Sequence, residues 1–131
     1  MNIEDLINIK KESIEDRIER AIQDTKDELN GLTTDTTCFI YSSVLADHLR
    51  KEHLANQIIS TSEFDYPYIH QFNIVPKNNN ELYLIDLTYQ QFQVSEFKKL
   101  TEKGYILLNG DKLKNYLDIV GNVNINKRKT Y

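Results

Sequence analysis

Two apolar runs separated by a run of asparagines constrain this chain more than any other feature. Tyr68 to Val75 and Glu81 to Leu87 are rich in aromatic and branched residues, and Pro76-Lys77-Asn78-Asn79-Asn80 lies between them. Residues of these types fit a pleated, half-buried strand. Asparagine tolerates the positive φ that a tight connection needs. The pattern predicts an antiparallel hairpin with a five-residue loop. A lone hairpin is barely stable in water, so its apolar face needs a helix to cover it. The chain is therefore expected to be α+β, with N-terminal helices packed on a small antiparallel sheet.

The hairpin also brings two polar side chains together. If Val75 faces Glu81, His70 faces Asp86 on the same side of the sheet, with Cβ atoms about 4.5–5.5 Å apart. Their neighbours on that side are Tyr68, Phe72, Ile74, Leu82, Leu84 and Thr88. A carboxylate in such surroundings costs free energy unless it is paired, and His70 supplies a partner. Two readings compete. The pair is a structural hydrogen bond that fixes strand register, or it is part of a reactive site.

Cys38 tips that balance. It is the single cysteine of the chain and follows Asp35, Thr36 and Thr37. Any of the three can cap a helix start through a side-chain oxygen. Phe39, Ile40, Val44, Leu45 and Leu49 then recur near helical spacing, and Arg50 and Lys51 suit a C-terminal turn. These signals predict a helix over about 37–51 with Cys38 in its first turn. The positive end of a helix favours the thiolate, the nucleophilic form of cysteine. On its own, a free cysteine is more often a small buried apolar residue. This helix is the best amphipathic candidate to cover the His70–Asp86 face. Cys38, His70 and Asp86 would then form a nucleophile, base and orienter.

The rest of the chain reads as framework. Residues 2 to 29 predict helix, with Ile3, Leu6, Ile7, Ile14, Ile18, Ala21, Ile22 and Leu29 as an interrupted apolar stripe. Ser13 is a candidate start for a second helix, and Asn30-Gly31 is a stop. Residues 57 to 61 predict a short strand and 62 to 67 a loop. Ser95 is expected to cap a short helix that Gly104 ends. Tyr105 to Leu108 predicts a buried strand, 112 to 120 a helix, and Val123 with Ile125 an edge strand. Three segments result within a single domain of 131 residues. They are a helical segment 1–31, a segment 33–93 carrying the three reactive residues, and a segment 94–131 of helices and short strands.

Composition narrows the function classes. A formal net charge of −4 and a pI near 5.4 leave no basic footprint for nucleic acid. Lys127, Arg128 and Lys129 read as a solvated tail. No apolar run approaches membrane-spanning length. The N-terminus lacks the pattern of a signal peptide, so the expectation is a cytoplasmic protein, or one secreted without a cleaved signal, acting in a reducing compartment. His48 and His53 stand five apart, which does not suit metal ligands on one helical face. The four glycines each stand beside an element end, so no phosphate-binding loop is expected. Neither a metal nor a cofactor is expected.

Together, Cys38 at a helix start, His70 in one strand and Asp86 in the next resemble the papain-like superfamily in its broad sense. That group includes transglutaminase-like enzymes, arylamine N-acetyltransferases and bacterial effector or toxin domains that act as cysteine proteases or glutamine deamidases. The resemblance covers about residues 33 to 93, and Tyr83-Leu84-Ile85-Asp86-Leu87-Thr88-Tyr89 is similar to the family's Asp strand and its exit. It implies a papain-like core and a Cys-His-Asp triad acting on a protein amide. No Gln stands just before Cys38, and neither Gly nor Trp follows it. The Cys38 N–H is one candidate oxyanion donor. Gln71, Gln90 and Gln91 are candidates for the second. Gln71, Tyr89 and Gln90 are expected to contact substrate. Tyr66, Tyr68, Tyr89 and Phe92 are candidates for the flanks of a cleft. The expected partner is a protein or peptide substrate. The competing reading is a catalytically silent protein-binding module of the same fold.

Overall fold

A computed structural model describes residues 2–33 and 37–123 of the chain. The order is α1 (Ile3–Lys11), α2 (Ile14–Glu28), α3 (Cys38–Lys51), β1 (Gln57–Ser60), β2 (Gln71–Pro76), β3 (Glu81–Ile85), α4 (Lys98–Lys103), β4 (Tyr105–Asn109) and α5 (Gly110–Val120). Two 3₁₀ turns, Thr61–Phe64 and Tyr89–Phe92, precede β2 and follow β3. The strands form a four-stranded antiparallel meander in the order β1-β2-β3-β4. The fold class is thus α+β.

Local chemistry accounts for most of the boundaries. Ser13 caps α2 by accepting from the Asp16 N–H, which separates α2 from α1. Asn109 caps α5 in the same way through the Lys112 N–H. Gly104 ends α4 at φ +86°, a conformation that costs a Cβ-bearing residue free energy. The expected Ser95 cap is not used. Instead α4 starts at Lys98, after Phe97 in a left-handed conformation, so the helix is shorter than its sequence signals imply. The hairpin loop is Lys77–Asn80, with Asn78 Oδ1 accepting from the Asn80 and Glu81 N–H groups. Asp35, Thr36 and Ile125 lie outside the described residues, as does the basic tail, so the edge strand expected at Val123 and Ile125 is not described.

Each face of the sheet carries its own core. Val75, Tyr83 and Ile85 pack with Ile18, Ala21 and Ile22 of α2 and with Tyr41, Leu45 and Leu49 of α3. Phe72, Leu84 and Leu108 pack on the other side with Tyr89, Phe92, Leu100, Tyr116, Leu117 and Val120. Each such side chain contributes about 1.5–3 kcal/mol when fully buried. The helix bearing Cys38 therefore covers the face opposite the one expected. Its buried stripe is Cys38, Tyr41, Ser42, Leu45, Ala46 and Leu49, while Phe39 and Ile40, expected to pack inward, are about half exposed. In α1, Ile3 and Ile7 are likewise exposed, and the N-terminal stripe packs only from Ile14 onward. Arg17, a charged residue on the packing face of α2, is buried and donates through Nε to the Glu52 carbonyl just beyond α3.

The α3–β2 contact is polar as well as apolar. Asn73 is buried and its Nδ2 donates to the Ser42 carbonyl at 3.0 Å. The Ser42 hydroxyl contacts Gln71 Oε1 at 3.1 Å. A buried amide left without such a partner would cost about 1–3 kcal/mol. At the same end of the sheet, the Gly104 carbonyl accepts from the Asp86 N–H at 2.9 Å. A Cβ on Gly104 would stand 2.7 Å from Leu87 Cδ2. Gly104→Ala is expected to lower stability by about 1–3 kcal/mol through its left-handed φ, with the Leu87 contact adding to the loss. Urea unfolding measures this, and an unchanged midpoint would contradict the packing described.

Candidate active site

Cys38, His70 and Asp86 meet at the end of the sheet where β2 begins and β3 ends. The hairpin register differs from the expected one: Val75 faces Tyr83, not Glu81, and Asn73 faces Ile85. A two-residue offset leaves every side chain on its original face. Carried one step beyond the ladder, this register sets Asp86 beside Phe72 and makes His70 a diagonal neighbour. Diagonal partners lie within reach of longer side chains. His70 Nε2 and Asp86 Oδ2 are 2.7 Å apart, and both side chains are buried.

Thr61 fixes the backbone at His70, which lies just outside β2. Its N–H donates to the His70 carbonyl at 3.0 Å, and its Oγ1 accepts from the His70 N–H at 2.9 Å. The same hydroxyl donates to the Tyr68 carbonyl at 2.6 Å. Phe92 meets the imidazole edge-on, with centroids 4.7 Å apart. The ring is thereby held from both its backbone and its face.

Asp86 accepts from every side. Thr88 donates to Oδ1 through its N–H and its hydroxyl, each at 3.0 Å. Tyr116 of α5 donates its hydroxyl to Oδ2, the oxygen that also holds His70. Burial pushes the carboxyl pKa upward. The charge and hydrogen bond of His70, the Tyr116 hydroxyl and the Thr88 N–H outweigh burial and hold it below the ordinary value. For His70, burial works against the charged ring. The Asp86 charge and hydrogen bond, joined by the hydrogen bond and charge of Cys38, prevail and raise its pKa to about 9. At neutral pH the pair is imidazolium and carboxylate.

The thiol completes the cluster. Cys38 is buried and is close enough to His70 to hydrogen-bond with it. Asp86 occupies Nε2, and the buried Nδ1 makes no hydrogen bond of standard geometry, which leaves it the ring nitrogen open to the sulfur. Thr37 offers no side-chain cap to α3, since its hydroxyl donates to the Thr33 carbonyl instead. A cavity of about 10 Å³, room for about one water, lies against Cys38, Ser42, Gln71, Asp86 and Thr88.

The proposed substrate contacts divide. Gln71 is half-buried and lines this cavity. Tyr89 does not: it is 1 % exposed, packs on Phe92 and Tyr116, and donates its hydroxyl to the Glu96 carbonyl. Its size and apolar ring took it into the core. Gln90 is exposed on the 3₁₀ turn and is not among the cavity's lining residues. Gln91 is buried. Of the four aromatic residues expected to flank a cleft, Tyr89 and Phe92 are core, and the Tyr66 hydroxyl donates to Asp118. Tyr68 is 39 % exposed.

Sequence reasoning missed Thr61, Thr88 and Tyr116 as partners of the site. Thr88 had a signal, because an Asp followed two residues later by a donor forms an Asx-turn. Tyr116 was legible as an inward helical residue, but not its bond to a carboxylate thirty positions away. Among the described residues no cluster of His, Cys, Asp and Glu could hold a metal ion, and His48 contacts Glu28 at 3.0 Å. Among the same residues no helix is long and apolar enough to cross a membrane. Comparison with protein-family models, curated proteins and solved structures finds no match to this chain.

The charged pair links stability to pH. Histidine titrates near 6.5 when unperturbed and at about 9 here. Between those values the folded chain binds more protons than the unfolded one, so stability falls as pH rises. The His70 contribution is complete below about 6.5 and lost above about 9. Asp86 acts in the opposite direction, adding stability above about 3.9 that disappears as pH falls through its lowered folded value. The stability gap between wild type and His70→Asn should shrink steadily from pH ~6.5 to pH ~9.5. Urea unfolding across that range measures it, and a constant gap would contradict the pairing.

Proposed function

We propose that this protein is a cysteine-dependent hydrolase of papain-like character that acts on a protein amide, either a glutamine side chain or a peptide bond. The observation that carries the reading is the buried His70–Asp86 pair with the Cys38 thiol close to the imidazole, whose Nδ1 is left without a well-formed hydrogen bond. A thiol, a base and an orienting carboxylate are the set that nucleophilic acyl transfer needs.

The residues divide the reaction into two steps. In the first, Cys38 Sγ, its proton held on His70, attacks the amide carbon. The C–N bond breaks and the His70 proton leaves on the nitrogen, as ammonia from glutamine or as the new amine of a cut chain. Cys38 is then joined to the acyl group as a thioester. In the second step, water gives a proton to His70 as its oxygen attacks the thioester carbon. The C–S bond breaks, the acid is released, and the proton remains shared by His70 and Cys38. Asp86 holds the ring and stabilises its charge throughout. The N–H groups in the first turn of α3 suit the developing oxyanion, since a helix start carries partial positive charge. Gln71 at the cavity suits the second donor.

A second reading has one observation in its favour. Cys38 is 5 % exposed and His70 is fully buried, with room for about one water beside them. A protein-binding module that kept the fold without catalysis would tolerate such closure. Thiol reactivity separates the two. Cys38 should react with iodoacetamide near neutral pH faster than a free model thiol, and His70→Ala should slow it. A folded protein whose thiol is slower than the model compound favours the module.

Turnover gives the direct test. Incubated with a broad protein mixture, the wild type should add about one mass unit at glutamine residues, or cleave chains, and Cys38→Ser should do neither. Asp86→Asn should keep the fold and lower the rate about 10³–10⁴-fold, as loss of an orienting carboxylate does elsewhere. Full activity in folded Asp86→Asn would remove Asp86 from the mechanism.

A further inference from the structure

The C-terminal helix reaches the site through one side chain. Tyr116 of α5 is completely buried, and its hydroxyl donates to Asp86 Oδ2. That oxygen also takes the His70 Nε2 hydrogen bond, whereas Thr88 serves Oδ1. Each carboxylate oxygen thus receives two donors. Rotation of the carboxyl group would break bonds on both oxygens at once. The Tyr116 ring is also held, meeting Phe72, Tyr89 and Phe97 at centroid distances of 4.9, 5.7 and 5.9 Å. The donor is as rigid as the acceptor it aligns.

We propose that Tyr116 is a positioning residue of this site, which fixes the Asp86 carboxylate as an anion in the orientation that His70 requires. This inference rests on the cysteine-hydrolase reading of the same residues. Tyr116 is not among the residues that line the cavity beside Cys38, and its hydroxyl bonds to Asp86. The titratable groups that face Asp86 are His70 before β2, Tyr116 from α5, Tyr89 from the 3₁₀ turn and Cys38 from α3. Near β4, the backbone carbonyl of Gly104 accepts from the Asp86 N–H. Of these groups, His70 and Tyr116 donate hydrogen bonds to the carboxylate from their side chains.

The physical consequence has a sign. A donor that favours the charged form of a carboxyl lowers the pH at which that charge is lost. Without the Tyr116 hydroxyl, Asp86 should take up a proton at higher pH. His70 would then lose its counter-charge, and the ion pair that aims the ring at Cys38 would break at higher pH on acidification.

The test is the pH dependence of Cys38 alkylation by iodoacetamide in the full chain, far below the unfolding temperature. It needs no identified substrate. Tyr116→Phe keeps the ring and removes the hydroxyl. Its acid limb should move up by about one pH unit relative to wild type, a tenfold loss of rate on that limb. A limb that stays in place in folded Tyr116→Phe overturns the role of Tyr116, because a merely structural contact would lower the melting temperature without moving the limb. His70→Ala keeps the two failures apart. If its profile matches wild type, the triad reading falls, and this inference with it. If Tyr116→Phe does not fold, 3-fluorotyrosine placed at position 116 decides. Its more acidic phenol is a stronger donor, so the limb should move down, and an unmoved limb overturns the proposal.

Discussion

The Asp86 carboxylate is the constraint on which the rest of the structure depends. It is 3 % exposed, at the point where β3 ends. Breaking a buried ion pair by removing one partner costs about 3–5 kcal/mol, because the remaining charge is left uncompensated. The chain meets this demand from several directions. His70 comes from the start of β2, Thr88 from the turn after β3, and Tyr116 from α5. The Asp86 N–H is taken by Gly104, at the end of α4. Segments distant in sequence are thus held to one carboxylate, so the same contacts that order the fold also order the candidate site.

A second constraint is the two-sided sheet. One face packs against α2 and α3, the other against α5 and the 3₁₀ turn that contains Tyr89 and Phe92. Cys38 belongs to a helix on the first face, and His70 with Asp86 belongs to the second. They meet because Cys38 stands at the very start of α3 and the pair stands at the end of the strands. Placing the site at this seam explains its tightness. Two cores close on it, and the space left beside the sulfur is about 10 Å³.

Much of this was legible in the residues themselves. Ser13 reads as a helix start and acts as a cap, because a short side-chain oxygen over a helix start is a local matter. Gly104 reads as a stop for the same kind of reason. The pairing of His70 with Asp86 was legible despite a register two residues from the expected one, since strand alternation repeats every two positions. The errors were of another kind. Phe39 and Ile40 look apolar enough for the core, yet the face of α3 that packs is the one carrying Ser42 and Ala46. Tyr89 looked available to a substrate and instead fills the core.

The amino-acid sequence by itself determined the helices, the hairpin and the placing of a histidine and an aspartate on one side of it. Backbone propensity, side-chain periodicity and capping act over a few residues, so these features follow from neighbours along the chain. Tertiary structure alone decided which face α3 covers, that Cys38 reaches His70 from across the sheet, and that Tyr116 closes the carboxylate's hydrogen bonds. Those outcomes depend on how two apolar faces divide the helices between them. That division is a competition for buried area over the whole molecule, and no local pattern encodes its result.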